Sequence, residues 1–186
     1  MRSRAVLLIV LLLGMAIAPM GSTDSTISTS TTWSGNVVLT GNVTVDSSST
    51  LVLEPGTVVD AQSYWLQIDG TLQASDSEFM TTKTPISQGS TGAGLWGGIL
   101  VSNGAIAALS NITISGAETA LDVHGEVTID ESITIRTSYI GFNIGSTGTL
   151  AAENVTMSTI DIQSVVNHGD LAIDTGLFTN TATGIL

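Results

Sequence analysis

Apolar and polar residues alternate along this chain in short runs, and the runs return in the same order. Five segments opening on glycine can be laid over one another: GTLQASDSEFM from Gly70, GAIAALSNITI from Gly104, GEVTIDESITI from Gly125, GTLAAENVTM from Gly148 and GDLAIDTGLF from Gly169. The glycines are 34, 21, 23 and 21 residues apart. A repeat in the low twenties is the mark of a solenoid, in which each coil buries its apolar face only by stacking on its neighbours.

Within the coil the period is two, which is strand behaviour. Two and four positions after each glycine stand Leu72/Ala74, Ile106/Ala108, Val127/Ile129, Leu150/Ala152 and Leu171/Ile173, predicted to point inward. Gln73, Ala107, Thr128, Ala151 and Ala172, lying between them, are predicted to face out. A second apolar group follows (Phe79, Ile112/Ile114, Ile133/Ile135, Val155/Met157, Phe178), and a third precedes each later glycine (Ile99/Val101, Leu121/Val123, Phe142/Ile144, Val165). Three strands in about 22 residues make one coil, so the prediction is an all-β solenoid of stacked parallel strands. The other repeat of similar length, the leucine-rich repeat, needs L-x-x-L-x-L followed by Asn or Cys; none of the five segments has it.

The flanks divide the chain further. Arg2 and Arg4, the apolar run Ala5 to Ala18 and small residues near Gly21 and Ser22 have the plan of a secretory leader, residues 1–22, with an uncleaved anchor as the alternative. Residues 23–32, nearly all Ser and Thr, read as a spacer. Trp33 opens the predicted solenoid, which runs to residue 186. Residues 81–96 (TTKTPISQGSTGAGLW) lack alternation and read as a loop inserted into one coil, which accounts for the spacing of 34. Thr183-Gly184-Ile185-Leu186 resembles the start of another coil, so the array is expected to be incomplete or to associate end to end.

Charge narrows the partners. Removing the leader leaves two cations, Lys83 and Arg136, against 16 acidic residues, a net charge of −14. Nucleic acid or an anionic membrane demands clustered Lys and Arg, so neither is an expected partner. With the leader gone, no stable membrane span is expected. There is no cysteine and hence no disulfide frame.

GNVTVDSSSTLVLEPGTVV (Gly41 to Val59) and LWGGILVSNGAIAALSNITISGAETAL (Leu95 to Leu121) resemble right-handed parallel β-helix proteins of the pectin-lyase-like superfamily. The resemblance implies a right-handed parallel β-helix from Trp33 onward. It does not fix an activity, because the superfamily holds lyases, hydrolases, adhesins and inert surface proteins. Its lyases resemble one another in a calcium-holding acidic cluster with an Arg or Lys base, and its hydrolases in paired Asp residues with a His. Neither Lys83 nor Arg136 has such a cluster beside it in sequence, and no Asp-Asp pair occurs. Hydrolysis across a glycosidic bond needs two placed carboxylates, so catalysis is not expected.

The candidate ligand-binding residues lie on the outward side of the third strand. In Leu121-Asp122-Val123-His124 the apolar residues point in, which sends Asp122 and His124 out on one side. Asn143 and then His168 are predicted in register in later coils. His124 and His168 then fall two coils apart, roughly 9.6 Å, too far to share a metal unaided. No metal site and no cofactor are expected. Asn42, Asn111 and Asn154 head N-x-T sequons, candidate glycosylation sites in an exported chain. Asn111 and Asn154 are also predicted to share a turn column with Ser132 and Gly176, a structural use of asparagine that needs no sugar. Trp33, Trp65 and Trp96 are either sugar-stacking rings or plugs at the solenoid's end and loop junction.

The expectation is an exported or cell-surface scaffold of adhesin type that binds extracellular glycans or surface proteins. The alternative is a carbohydrate-active enzyme, a polysaccharide lyase or glycoside hydrolase, or a fragment of one.

Overall fold

The computed structural model describes residues 23–85 and 91–182. Among them there is no helix, and every strand pair is parallel. The first coil is β1 (Ser25–Ile27), β2 (Thr31–Trp33) and β3 (Asn36–Val38), and the second is β4 (Val43–Val45), β5 (Thr50–Leu53) and β6 (Val58–Asp60). The third coil is β7 (Trp65–Ile68), β8 (Thr71–Ser75) and β9 (Glu78–Met80). Beyond the loop the strands lengthen and run through corners: β10 (Trp96–Val101), β11 (Ile106–Ser115), β12 (Ala117–Val123), β13 (Glu126–Ile144), β14 (Thr149–Asn167) and β15 (Asp170–Thr181). The result is a parallel β-solenoid of about 7 turns with a repeat of about 21 residues.

Three faces enclose one continuous core, and, except in the coil after Gly104, the predicted inward columns line it. Leu66, Ile99, Leu121, Phe142 and Val165 stack on the first face, Leu51, Leu72, Ala107, Val127 and Leu150 on the second, and Phe79, Ile114, Ile135 and Met157 on the third. All of them are buried. Burial of such columns at roughly 25 cal/mol per Å² of apolar surface is the main stabilising term available to a fold with no disulfide.

Three expectations need correction. The run Thr23 to Thr32, read as a spacer, supplies β1 and the start of β2, paired to β4 and β5. Hydroxyl side chains with β-branched Thr suit a solvated strand as well as a loop, so composition alone misread it. The coil at Gly104 is out by one residue: Ala107 and Leu109 point inward, whereas Ile106 is 47% exposed. Gly104 is a turn glycine at φ +81, and the register equivalent of Gly70 and Gly125 is Ala105. In the turn column of Asn154 the next residue is Thr175, because Gly176 pairs with Val155 one place later.

The corner between the first and second faces explains the repeat glycines. It takes two forms that alternate from coil to coil. Asp46–Ser49, Ser102–Ala105 and Gly145–Gly148 are wide turns, each closed by a hydrogen bond from the last N–H to the first carbonyl. Asp69-Gly70, His124-Gly125 and His168-Gly169 are tight. A Cβ on Gly70 would run into the carbonyl oxygens of Asp46 and Ser49, one on Gly125 into those of Ser102 and Ala105, and one on Gly169 into those of Gly145 and Gly148. Each tight turn therefore nests in the wide turn before it, and only glycine fits there.

The inserted loop leaves β9 at Met80 and returns at Trp96. Its first residues are tied to the barrel wall by Asp60, whose Oδ1 accepts from the Thr82 N–H at 3.1 Å and whose Oδ2 accepts from the Thr82 hydroxyl at 2.6 Å. The returning limb runs along the solenoid axis. Gly94 and Leu95 donate to the carbonyls of Ala117 and Gly116, the Tyr139 ring occupies the side-chain space of Gly94, and the Thr91 hydroxyl bonds Asp161 at 2.5 Å. Trp96 then enters the core and donates from Nε1 to the Ser115 carbonyl at 2.8 Å.

Candidate functional site

Strand register brings the outward side chains of the first face into three columns. One contains Trp65, Gly98, Thr119, Ile140 and Gln163. The next contains Thr44, Gln67, Leu100, Asp122, Asn143 and Val166. The third, at the corner, follows from backbone hydrogen bonds: Asp69, Ser102, His124, Gly145 and His168.

Asp122, His124 and Asn143 form a contiguous polar cluster, as the alternation of Leu121 to His124 predicts. Asn143 Nδ2 donates to Asp122 Oδ1 at 2.8 Å, and His124 Nε2 lies 3.3 Å from the same oxygen. The His124 and Asp122 side chains remain partly open to solvent. His168 lies in the predicted register, two coils from His124 with Gly145 between them. A similar arrangement occurs on the N-terminal side, where Asp69 Oδ1 accepts from Gln67 Nε2 at 2.9 Å and from the Ser102 hydroxyl at 2.6 Å. Sequence reading missed this second cluster, since its residues come from coils separated by the loop.

The tryptophans part company. Trp96 is core, Trp33 packs partly against the core of the first coil, and Trp65 is 48% exposed. Trp65 is aligned with Gly98, and its side chain leans over Gly97, where a Cβ would lie 2.8 Å from the Trp65 Cβ and 3.7 Å from Cε3 of the ring. The absence of a side chain at Gly97 makes room for the Trp65 side chain beside it.

The sequon asparagines are all engaged in the fold. Asn111, at φ 52, donates from Nδ2 to Asp76 Oδ1 at 2.7 Å and accepts from the Ser132 hydroxyl at 3.1 Å. Asn154 Nδ2 donates to the Glu131 carbonyl at 2.6 Å, and Asn42 Oδ1 accepts from the Trp65 N–H at 3.3 Å. Asn111 thus fills the structural role that left-handed turn geometry gives to asparagine.

Lys83 and Arg136 are exposed, on the loop and on β13. The contacts of the returning loop limb run to Ala117, Gly116, Tyr139 and Asp161, at the far edge of the first face from His124. Among the described residues no group of three or more His, Asp or Glu is gathered as a metal site, and no helix is long and apolar enough to cross a membrane. Residues 1–22, predicted as a leader, and the terminal Thr183–Leu186 lie outside the described residues.

Comparison with protein-family models, with curated proteins and with solved structures found no match. The class of this protein is therefore defined by its own architecture: an all-β parallel β-solenoid.

Proposed function

We propose that the protein is an exported or cell-surface scaffold whose first face binds extracellular glycans. The observation that carries this reading is Trp65, half exposed against Gly97 and beside the Gln67–Asp69–Ser102 cluster. A flat indole offers stacking surface to the apolar side of a sugar ring, while amide, carboxylate and hydroxyl groups beside it bond the ring hydroxyls. The acidic surface favours neutral over acidic sugars, because like charges repel at low ionic strength.

A second reading, a carbohydrate-active enzyme, draws on the 3.3 Å contact of His124 with Asp122, an oriented imidazole of the kind used in proton transfer. One experiment separates them. A panel of neutral and acidic polysaccharides is titrated against the protein and its Trp65→Ala variant, with release of reducing and unsaturated ends followed in parallel. Binding of a neutral glycan that weakens at least about tenfold in Trp65→Ala supports the scaffold. Product release abolished by His124→Ala or Asp122→Ala replaces it with the enzyme.

A further inference from the structure

His124 and His168 occupy the same position in two tight turns, with the wide turn at Gly145 between them. The strand spacing puts their backbones roughly 9.6 Å apart. Gly145 changes what that separation means. A Cβ built on Gly145 would overlap His124 Nδ1 and lie 2.6 Å from Cε1, so the imidazole of His124 fills the side-chain space of the intervening coil. The His124 ring thus reaches one coil further along the solenoid than its backbone, and the next strand, about 4.8 Å on, carries His168. His168 is exposed.

The other edge of the His124 ring faces a carboxylate. Nε2 lies 3.3 Å from Asp122 Oδ1, and Asp122 is held in turn by Asn143 Nδ2 at 2.8 Å. With Nε2 turned toward Asp122, Nδ1 is the nitrogen left for a ligand, and a carboxylate beside an imidazole is the outer-shell partner typical of metal-ligating histidine. We propose that His124 Nδ1 and His168 together bind one late first-row divalent cation, Cu²⁺, Ni²⁺ or Zn²⁺, above Gly145, with water completing the coordination. Asp122 and Asn143 are positioning residues. Two imidazoles select such ions over Ca²⁺ and Mg²⁺, which prefer oxygen ligands, and affinity should follow Cu²⁺ above Ni²⁺. This site is independent of glycan binding at Trp65.

The test is calorimetric titration of the untagged full chain with each chloride salt. Expected is one Cu²⁺ per chain, no binding of Ca²⁺ at the same concentrations, and affinity lowered at least about tenfold in both His124→Ala and His168→Gln. Gly145→Ala keeps both imidazoles but drives a methyl group into the ring of His124, and it should weaken binding to a similar extent. Far-UV circular dichroism and the metal-free melting temperature of each variant establish that the fold is retained. Since His168 is solvent-exposed, His168→Gln keeps the question open to measurement even where Gly145→Ala disturbs the corner. Unchanged Cu²⁺ affinity in His168→Gln, or Ca²⁺ competing at the same site, overturns the proposal.

Discussion

Glycine has two separate duties in this chain. Gly104 sits at φ +81 in a wide turn with nothing within 4 Å of a built Cβ, so it is there for its backbone conformation. Gly125 has no such φ, yet a Cβ would collide with two carbonyl oxygens of the previous coil, so it is there for closeness. Gly104→Ala should cost about 1–2 kcal/mol, the usual penalty of a left-handed L-residue. Gly125→Ala should cost more, because two coils must separate to admit the methyl group. Urea melts of both variants check this; equal losses would mean that the nested corner yields easily. The same distinction sets what the sequence disclosed. A glycine-led repeat is visible as letters, but the letters do not say which duty each glycine has, so alignment on Gly104 sets its coil one residue out of phase.

At the scale of elements, most strands were legible because apolar residues recur at period two and stack column on column. The Ser/Thr run that forms β1 and the start of β2 was not, since its pairing to β4 and β5 rests on backbone hydrogen bonds that any residue but proline makes. The first-face cluster was half legible: Asp122, His124 and Asn143 follow from register, whereas Asp69 and Ser102 meet only once the loop is folded out of the coil. That loop hangs on Asp60 at the end of β6. Burial pushes its carboxyl pKa up, but hydrogen bonds from Thr82 and from the Gln62 N–H and side-chain amide outweigh this and hold it below the ordinary value. A depressed folded-state pKa contributes stability above the unfolded value, near pH 4, that is lost as pH falls through the lower folded value. Asp60→Asn should therefore lower the melting temperature at pH 7 and flatten its decline below about pH 4. A variant whose acid profile parallels the parent's would remove Asp60 from the account.

Across the whole molecule, stability is a sum of coil-to-coil contacts along one axis, as in other repeat proteins. Charge acts against that stacking. Sixteen acidic residues face four basic ones over the full sequence, for a net charge of −12. Self-repulsion of this sign relaxes as salt shortens the screening length to about 8 Å at 0.15 M. The melting temperature should thus rise between about 0.01 and 0.15 M NaCl, and a flat response in a differential scan would show that the charges are too dispersed to oppose one another. The returning loop limb, tied to Tyr139 and Asp161, clamps later coils to earlier ones along the same axis.

The alternation of wide and tight corners carries a consequence for parity. A coil ending in a tight turn has its seat in the coil before it, so the structural quantum is two coils of unlike kind. Excising a single interior coil would set two corners of one kind against each other and, where the lost coil is a wide-cornered one, leave a glycine without its socket. Excising a neighbouring pair restores the phase. An array built this way grows and shrinks by even numbers, like a chain of alternating plugs and sockets.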